Sequence, residues 1–204
     1  MKNTITITGL DGTGKSTHAK WLQTQLPNST VVSVWDIITK PEFREWSIYN
    51  YPPNVEEYIM NLDPASRSMF IFHAFNKAYQ HALHSDYEYL IFDSHWYKYW
   101  AIEQAMGAPA LFGQFLSTLF THADITFCLD LPIKNVIARK SRISIYEGGN
   151  MHTGYSQGFK NIQENAFPVL KNILPNDTIY ISALHTIDDI QNKIWLQIIK
   201  NFKL

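Results

Sequence analysis

The sequence lacks most of what marks an exported, membrane-spanning or nucleic-acid-coating chain. Among its 204 residues there is one cysteine, Cys128, so no internal disulfide can form. The thiol is expected to serve as a small buried hydrophobe in a reducing compartment. Neither charge sign is in excess: 17 Lys+Arg stand against 18 Asp+Glu, a formal charge of −1. Without surplus cations there is no counterion-release drive toward nucleic acid. No run approaches the roughly 20 apolar residues of a membrane span, and the opening MKNTITITGL lacks the apolar core of a signal peptide. These absences predict a cytoplasmic protein that engages neither membrane nor nucleic acid. Internal repeats, Gly/Ser linkers and low-complexity runs are also missing, which favours one domain over 1–204. Charged residues are scarce, 17% against about 25% in ordinary domains, and four are arginine: Arg44, Arg67, Arg139 and Arg142.

What the chain has instead is aromatic residues, at 14%, and a regular alternation of patterns. Short β-branched apolar runs at 4–8, 31–35, 89–93, 125–130 and 178–182 read as strands. Helical patterns begin near Gly14, Pro64, Tyr97, Pro132, Ser156 and Thr186. Several of the runs are apolar almost without alternation, as parallel strands buried on both faces require. The pattern predicts an α/β fold with a mainly parallel five-stranded sheet flanked by helices and right-handed crossovers. Asp63 followed by Pro64 is a helix start, because Asp caps free amides and Pro is tolerated at the first helical position. The stretch 144–155 (SIYEGGNMHTGY), rich in glycine and polar residues, is expected to be a mobile loop.

Residues 9–16 (GLDGTGKS) match G-x-x-x-x-G-K-S/T directly after a predicted strand and before a helical pattern. Gly12, Thr13, Gly14 and Thr17 belong to a loop whose backbone amides turn inward toward phosphate oxygens. The helix N-terminus adds positive potential, Lys15 is placed to bridge β- and γ-phosphates, and Ser16 to ligate Mg²⁺. A strand closed by Asp93 supplies a second feature. Beside a phosphate loop such a carboxylate holds Mg²⁺ directly or through water, whereas alone it is an ordinary turn or cap residue.

Taken together, these motifs resemble the thymidylate kinase family of nucleoside monophosphate kinases over nearly the full length. The phosphate loop with its acidic Asp11, the helix of 69–76 (MFIFHAFN), the strand end 90–95 (LIFDSH), the segment 129–132 (LDLP) with Arg139 and Arg142, and the terminal 180–190 all follow the family's course. The resemblance implies a P-loop kinase domain with a small lid near 140–158, ATP as donor, Mg²⁺, nucleotide substrates and a homodimer. It carries Phe72 over as the base-stacking platform and Arg139 as an ATP contact. Departures come with it. Ser94 stands where the family has an Arg that helps hold the acceptor phosphate, and Asn76 replaces the base-reading Arg. Ile102 and Glu103 stand near a Tyr and a Gln that face the nucleoside. The phosphate loop carries no Arg, so Arg142 is the expected stabiliser of the transferring group beside Lys15 and Asp93.

The acceptor site is expected to draw on Asp11, Arg44, Phe72, Asn76, His95, Lys98 and Glu103, with His95 or Lys98 replacing the charge missing at 94. Bland readings stand beside these: Phe72 as core, Arg44 as a surface cation, Arg139 and Arg142 as a solvated helix end. His73, His81 and His84 are read as hydrogen-bonded rather than metal-binding. Residues 96–100 (WYKYW) line the acceptor pocket or a dimer interface, which would also use Phe70 or Phe75. The leading expectation is a nucleoside monophosphate kinase. The alternatives are a deoxynucleoside or other small-molecule kinase and a nucleotide-binding regulatory protein.

Overall fold

In the computed structural model, which describes residues 2–43, 55–149 and 155–204, strands form where β-branched residues crowd. These are β1 (Asn3–Gly9), β2 (Ser29–Val32), β3 (Tyr89–Asp93), β4 (Ile125–Asp130) and β5 (Ile179–Ser182). They pair in the order β2-β3-β1-β4-β5, every pair parallel, with Ile5 opposite Ile91 and Ile125. The helices are α1 (Lys15–Gln25), α2 (Asp36–Thr39), α3 (Val55–Met60), α4 (Pro64–His84), α5 (His95–Ala105), α6 (Leu111–Leu119), α7 (Ile133–Arg139), α8 (Ile145–Gly148), α9 (Tyr155–Ile173) and α10 (Ile187–Phe202). One sheet face buries Ile5, Ile7, Ile91 and Phe127 with Leu22 of α1 and Ile194 of α10. The other buries Leu90, Phe92 and Cys128 with Phe75 of α4, Trp96 of α5 and Leu170 of α9. No helix among the described residues is long and apolar enough to cross a membrane.

Local signals explain most element ends. Asp63 Oδ1 accepts from the Ala65 and Ser66 amides at 3.0 and 3.1 Å, capping α4, and Thr186 caps α10. Two expectations are corrected. The second strand ends at Val32 rather than running to 35, because Asp36 Oδ2 accepts the Ser33 N–H at 3.0 Å and turns the chain into α2. The stretch expected as a mobile loop contains α8, closed by a capping box in which Ser144 and Glu147 bond each other's backbone. Its residues 150–154 lie outside the described residues.

Phe75, Trp96 and Trp100 are at most 2% exposed, so they are core and not the interface residues expected of them. His95 is buried among them at a positive φ of 49°. Its ring lies 4.6 Å from Phe92, 5.4 Å from Phe75 and 5.0 Å, stacked, from Tyr97. Burial, reinforced by the neighbouring His122, pushes the His95 imidazole down to about 3. The unfolded ring binds a proton near 6.5 and the folded one does not, so stability is full above that pH and is lost as pH falls toward 3. Between pH 7 and pH 5 this site alone removes about 2 kcal/mol. His95→Phe should lose about that much less than wild type over the same interval, as read by denaturant unfolding at the two pH values.

Candidate functional site

The loop of residues 9–16 leaves the C-terminal end of central β1, and β3 ends beside it, the Ser94 N–H donating to Ile7 O at 3.0 Å. Ligands of open parallel sheets collect at this edge. The tight turn depends on two glycines. At Gly9 (φ 139°) a Cβ would lie 2.4 Å from Leu129 O, and at Gly12 (φ 80°) it would press on Val136 of α7. Gly14 is the N-cap of α1. Lys15 Nζ folds back to donate to Leu10 O at 2.7 Å, and Thr13 Oγ1 donates to the same oxygen at 2.8 Å. The result is a cleft of about 440 Å³ lined by Asp11, Gly12, Gly14, Lys15, Ser16 and Thr17 of this segment. Asp93, Ser94 and Lys98 also line it, and Ser33, Trp35, Glu56, Tyr99, Lys140, Ser144, Tyr146 and Glu147 complete the wall.

Asp11 is the electrostatic centre. Its Oδ1 accepts from Lys98 Nζ at 2.8 Å, with Lys15 Nζ at 4.0 Å, and its Oδ2 accepts from Gln163 Nε2 at 3.2 Å. Burial pushes the carboxyl up, but Lys98 and then Lys15 overcome it and hold it at about 2. Burial acts on Lys98 downward, and Asp11 more than restores it, leaving the ammonium above its ordinary value. Lys15, more weakly paired, is pushed down by burial.

The cleft brings together Asp11, Gly12, Gly14, Lys15, Ser16, Thr17, Asp93 and Lys98 of the expected residues, with Thr13 buried in the same loop. Ser16 and Asp93 offer a hydroxyl and a carboxylate oxygen, hard donors of the kind Mg²⁺ takes. Several expected residues lie elsewhere. His95 is sealed in the core, and Arg142 is exposed and off the cleft wall. Arg139 donates to Ala183 O at 2.8 Å, tying α7 to the loop after β5. Phe72 and Asn76 line a separate 240 Å³ groove between α4 and α6, with Met69, Phe115 and Leu119. Glu103 is fully buried: it accepts from Arg67 Nε at 3.0 Å, Ser68 Oγ at 3.0 Å and Tyr146 Oη at 2.9 Å. It is therefore an anchor for α4, α5 and α8, not a free carboxylate facing a ligand. Arg44 lies outside the described residues.

Tyr99 of the 96–100 run does line the cleft, whereas sequence reasoning missed Lys140, Trp35, Tyr146 and Gln163. Lys140 reaches the cleft and pairs with Glu147, and the S-x-x-E spacing of 144–147 was the available signal that this segment is ordered.

No protein-family model matches the chain, and no curated protein does. Solved structures do. Thymidylate kinase from Candida albicans superposes with a TM-score of 0.73 at 18% identity, covering 99% of this chain and 92% of that one. Deoxyadenosine kinase from M. mycoides with bound dATP gives 0.61 at 16%, covering 96% and 98%. The same enzyme with dCMP and dCDP gives 0.63 at 15%, with the same coverage. At these identities the likeness is one of fold, and the chain has the P-loop kinase fold.

Removing one partner of a buried ion pair leaves the other uncompensated, at a cost of about 3–5 kcal/mol. Asp11→Asn should therefore lower unfolding stability by roughly 3 kcal/mol, because Lys98 and Lys15 then lose the carboxylate that stands between them. Urea unfolding at pH 7 reads the difference.

Proposed function

We propose that this chain is an ATP-dependent phosphotransferase that moves the γ-phosphoryl group of ATP onto a nucleoside monophosphate, giving a diphosphate. The observation that carries the reading is the convergence, in one cleft, of the phosphate-loop Lys15 and Ser16, the strand-end Asp93 and a second buried cation, Lys98. Phosphoryl transfer asks for in-line placement and neutralisation of equatorial charge more than for covalent chemistry. In this reading the loop amides from Gly12 to Thr17 cradle the donor phosphates, and Lys15 swings from Leu10 O to the β- and γ-oxygens. Arg139 and the loop at Ala183 border the donor base. Ser16 and Asp93 would hold Mg²⁺, which when bound neutralises phosphate charge. Lys98 takes the place of the arginine missing at 94 and meets the acceptor phosphate. On the lid, Lys140 is better placed than Arg142 to face the transferring group.

A second reading has its own support. Among the described residues the cleft wall carries three lysines against Asp11, Glu56, Asp93 and Glu147, with no arginine. Lys98 and Lys140 are already paired. Such a charge balance suits an acceptor that brings a hydroxyl and no phosphate, as in a nucleoside.

The proposal includes one cytoplasmic domain over 1–204, its lid near 140–158, and a homodimer. The dimer face is moved from the buried aromatics to the α4–α6 surface. Met69, Leu111 and Phe115 are 62%, 70% and 59% exposed there, and 104–123 contains no Asp, Glu, Lys or Arg. Light scattering should report twice the chain mass, and Phe115→Asp should halve it; a monomeric wild type rejects the dimer.

An acceptor panel of nucleosides and nucleoside monophosphates, with ADP formation and product mass measured together, tests the activity. A diphosphate product supports the leading reading and a monophosphate product the second. ATP binding without product supports a regulatory protein. Lys15→Ala should lower transfer by roughly 10²-fold or more; near-wild-type turnover in the folded variant would remove the phosphate loop from the mechanism.

A further inference from the structure

Gln163 stands within α9, fully buried, and commits both ends of its amide to one residue of the phosphate loop. Its Oε1 accepts the Asp11 N–H at 3.1 Å, and its Nε2 donates to Asp11 Oδ2 at 3.2 Å. Two such bonds fix the rotation of the carboxylate and leave Oδ1 turned to Lys98 Nζ at 2.8 Å. An amide suits this position because one planar group offers a donor to the carboxylate and an acceptor to the N–H. Glu would set a second carboxylate against Asp11, and Leu would strand a buried N–H and half a carboxylate. Four groups crowd Asp11 from other elements: Lys98 and Tyr99 of α5, Lys15 of α1 and Lys140 after α7. With Oδ2 held by α9, Lys98 lies within hydrogen-bond distance of Oδ1 and Lys15 lies at 4.0 Å.

We propose that Gln163 is a positioning residue of the transfer site: by clamping Asp11 it sets Lys98 toward the acceptor. What Lys98 then does rests on the kinase reading above, while the clamp itself is a property of the folded chain.

The test compares Gln163→Leu and Gln163→Glu in the full chain with wild type and with the exposed neighbour variant Glu164→Gln as control. Lys98 is followed by amine-reactive labelling at pH 9 with peptide mass spectrometry. Labelling of Lys98 should rise several-fold in both Gln163 variants and not in the control. With the acceptor found in the panel, kcat/KM for that acceptor should fall by about 10-fold or more while KM for Mg·ATP stays within about 3-fold. In Gln163→Glu the acid limb of the pH profile should move up by about one unit, because two facing carboxylates do not both ionise readily. If Gln163→Leu fails to fold, Gln163→Asn, an amide one methylene too short to close both bonds, is measured the same way. A glutamine that only packs α9 would lower Tm and leave Lys98 labelling, the KM split and the pH limb at wild-type values, which overturns the proposal. Should no acceptor turn over, the kinase reading falls and labelling alone decides: faster labelling of Lys98 sustains the clamp, and unchanged labelling in folded variants overturns it.

Discussion

Removing a carboxylate and an ammonium from water costs several kcal/mol for each ion, repaid only when the two meet with their remaining hydrogen bonds satisfied. Asp11 and Lys98 meet that condition with side chains 11% and 8% exposed. The rest of the cleft depends on it. The pair joins the loop after β1 to α5, and the Gln163 bonds add α9, so three elements remote in sequence share one charged contact. Apolar residues of similar volume would often stabilise such a site as well or better. The use of charge here is to hold an ammonium at a defined place beside the 9–16 loop, where low dielectric makes each cation count for more than it does in water.

A buried lysine differs physically from an arginine at such a site. Guanidinium offers a rigid fork for two phosphate oxygens, whereas ammonium is a point charge on a flexible stem. The surroundings supply the missing rigidity: Asp11 grips the ammonium at 2.8 Å and the Tyr99 ring lies 4.6 Å from it. The segment after α7 uses the same device, Lys140 on Glu147, with Glu147 fixed in turn by the Ser144 capping box. Beneath both, the Glu103 carboxylate ties α4, α5 and α8 through Arg67, Ser68 and Tyr146. Burial pushes Glu103 up, and Arg67 with the Tyr146 and Ser68 hydroxyls works against it. Tyr146 thereby becomes a fixed wall of the cleft, its ring edge-on to Trp35 at 6.0 Å.

Much of this was legible in the residues, for identifiable reasons. The phosphate loop announces itself because its glycines and Lys15 are contiguous, and β3 and β4 match their apolar runs end to end. The start of α4 was readable from Asp63 and Pro64, whose interaction is local. Which neighbour each side of α4 meets was not. That helix buries Ser68, Ile71, Phe72, Phe75 and Tyr79 together, a band wide enough that its period does not choose between neighbours. Phe72 and Asn76 accordingly turned toward α6, while Ser68 took the Glu103 carboxylate. The second strand was set too late, at 31–35 instead of Ser29–Val32, because Val34 and Trp35 are apolar, although the Asp36 side chain turns the chain before them. Lys98, Gln163 and Glu103 gain their roles only through partners 35 to 152 positions away. No spacing rule encodes such pairs, so Lys98 and Glu103 read from sequence as candidates without an address and Gln163 did not stand out at all.

The central claim is that the acceptor lies against Lys98 in the cleft, beside the donor phosphates. It is tested most directly by a crystal structure with a non-hydrolysable ATP analogue and the acceptor that the panel selects. The account predicts Lys15 on the donor phosphates, the acceptor oxygen within reach of Lys98, and the Gln163–Asp11 bonds unchanged. An acceptor seated instead in the α4–α6 groove against Phe72 and Asn76, with Lys98 touching neither substrate, would contradict it.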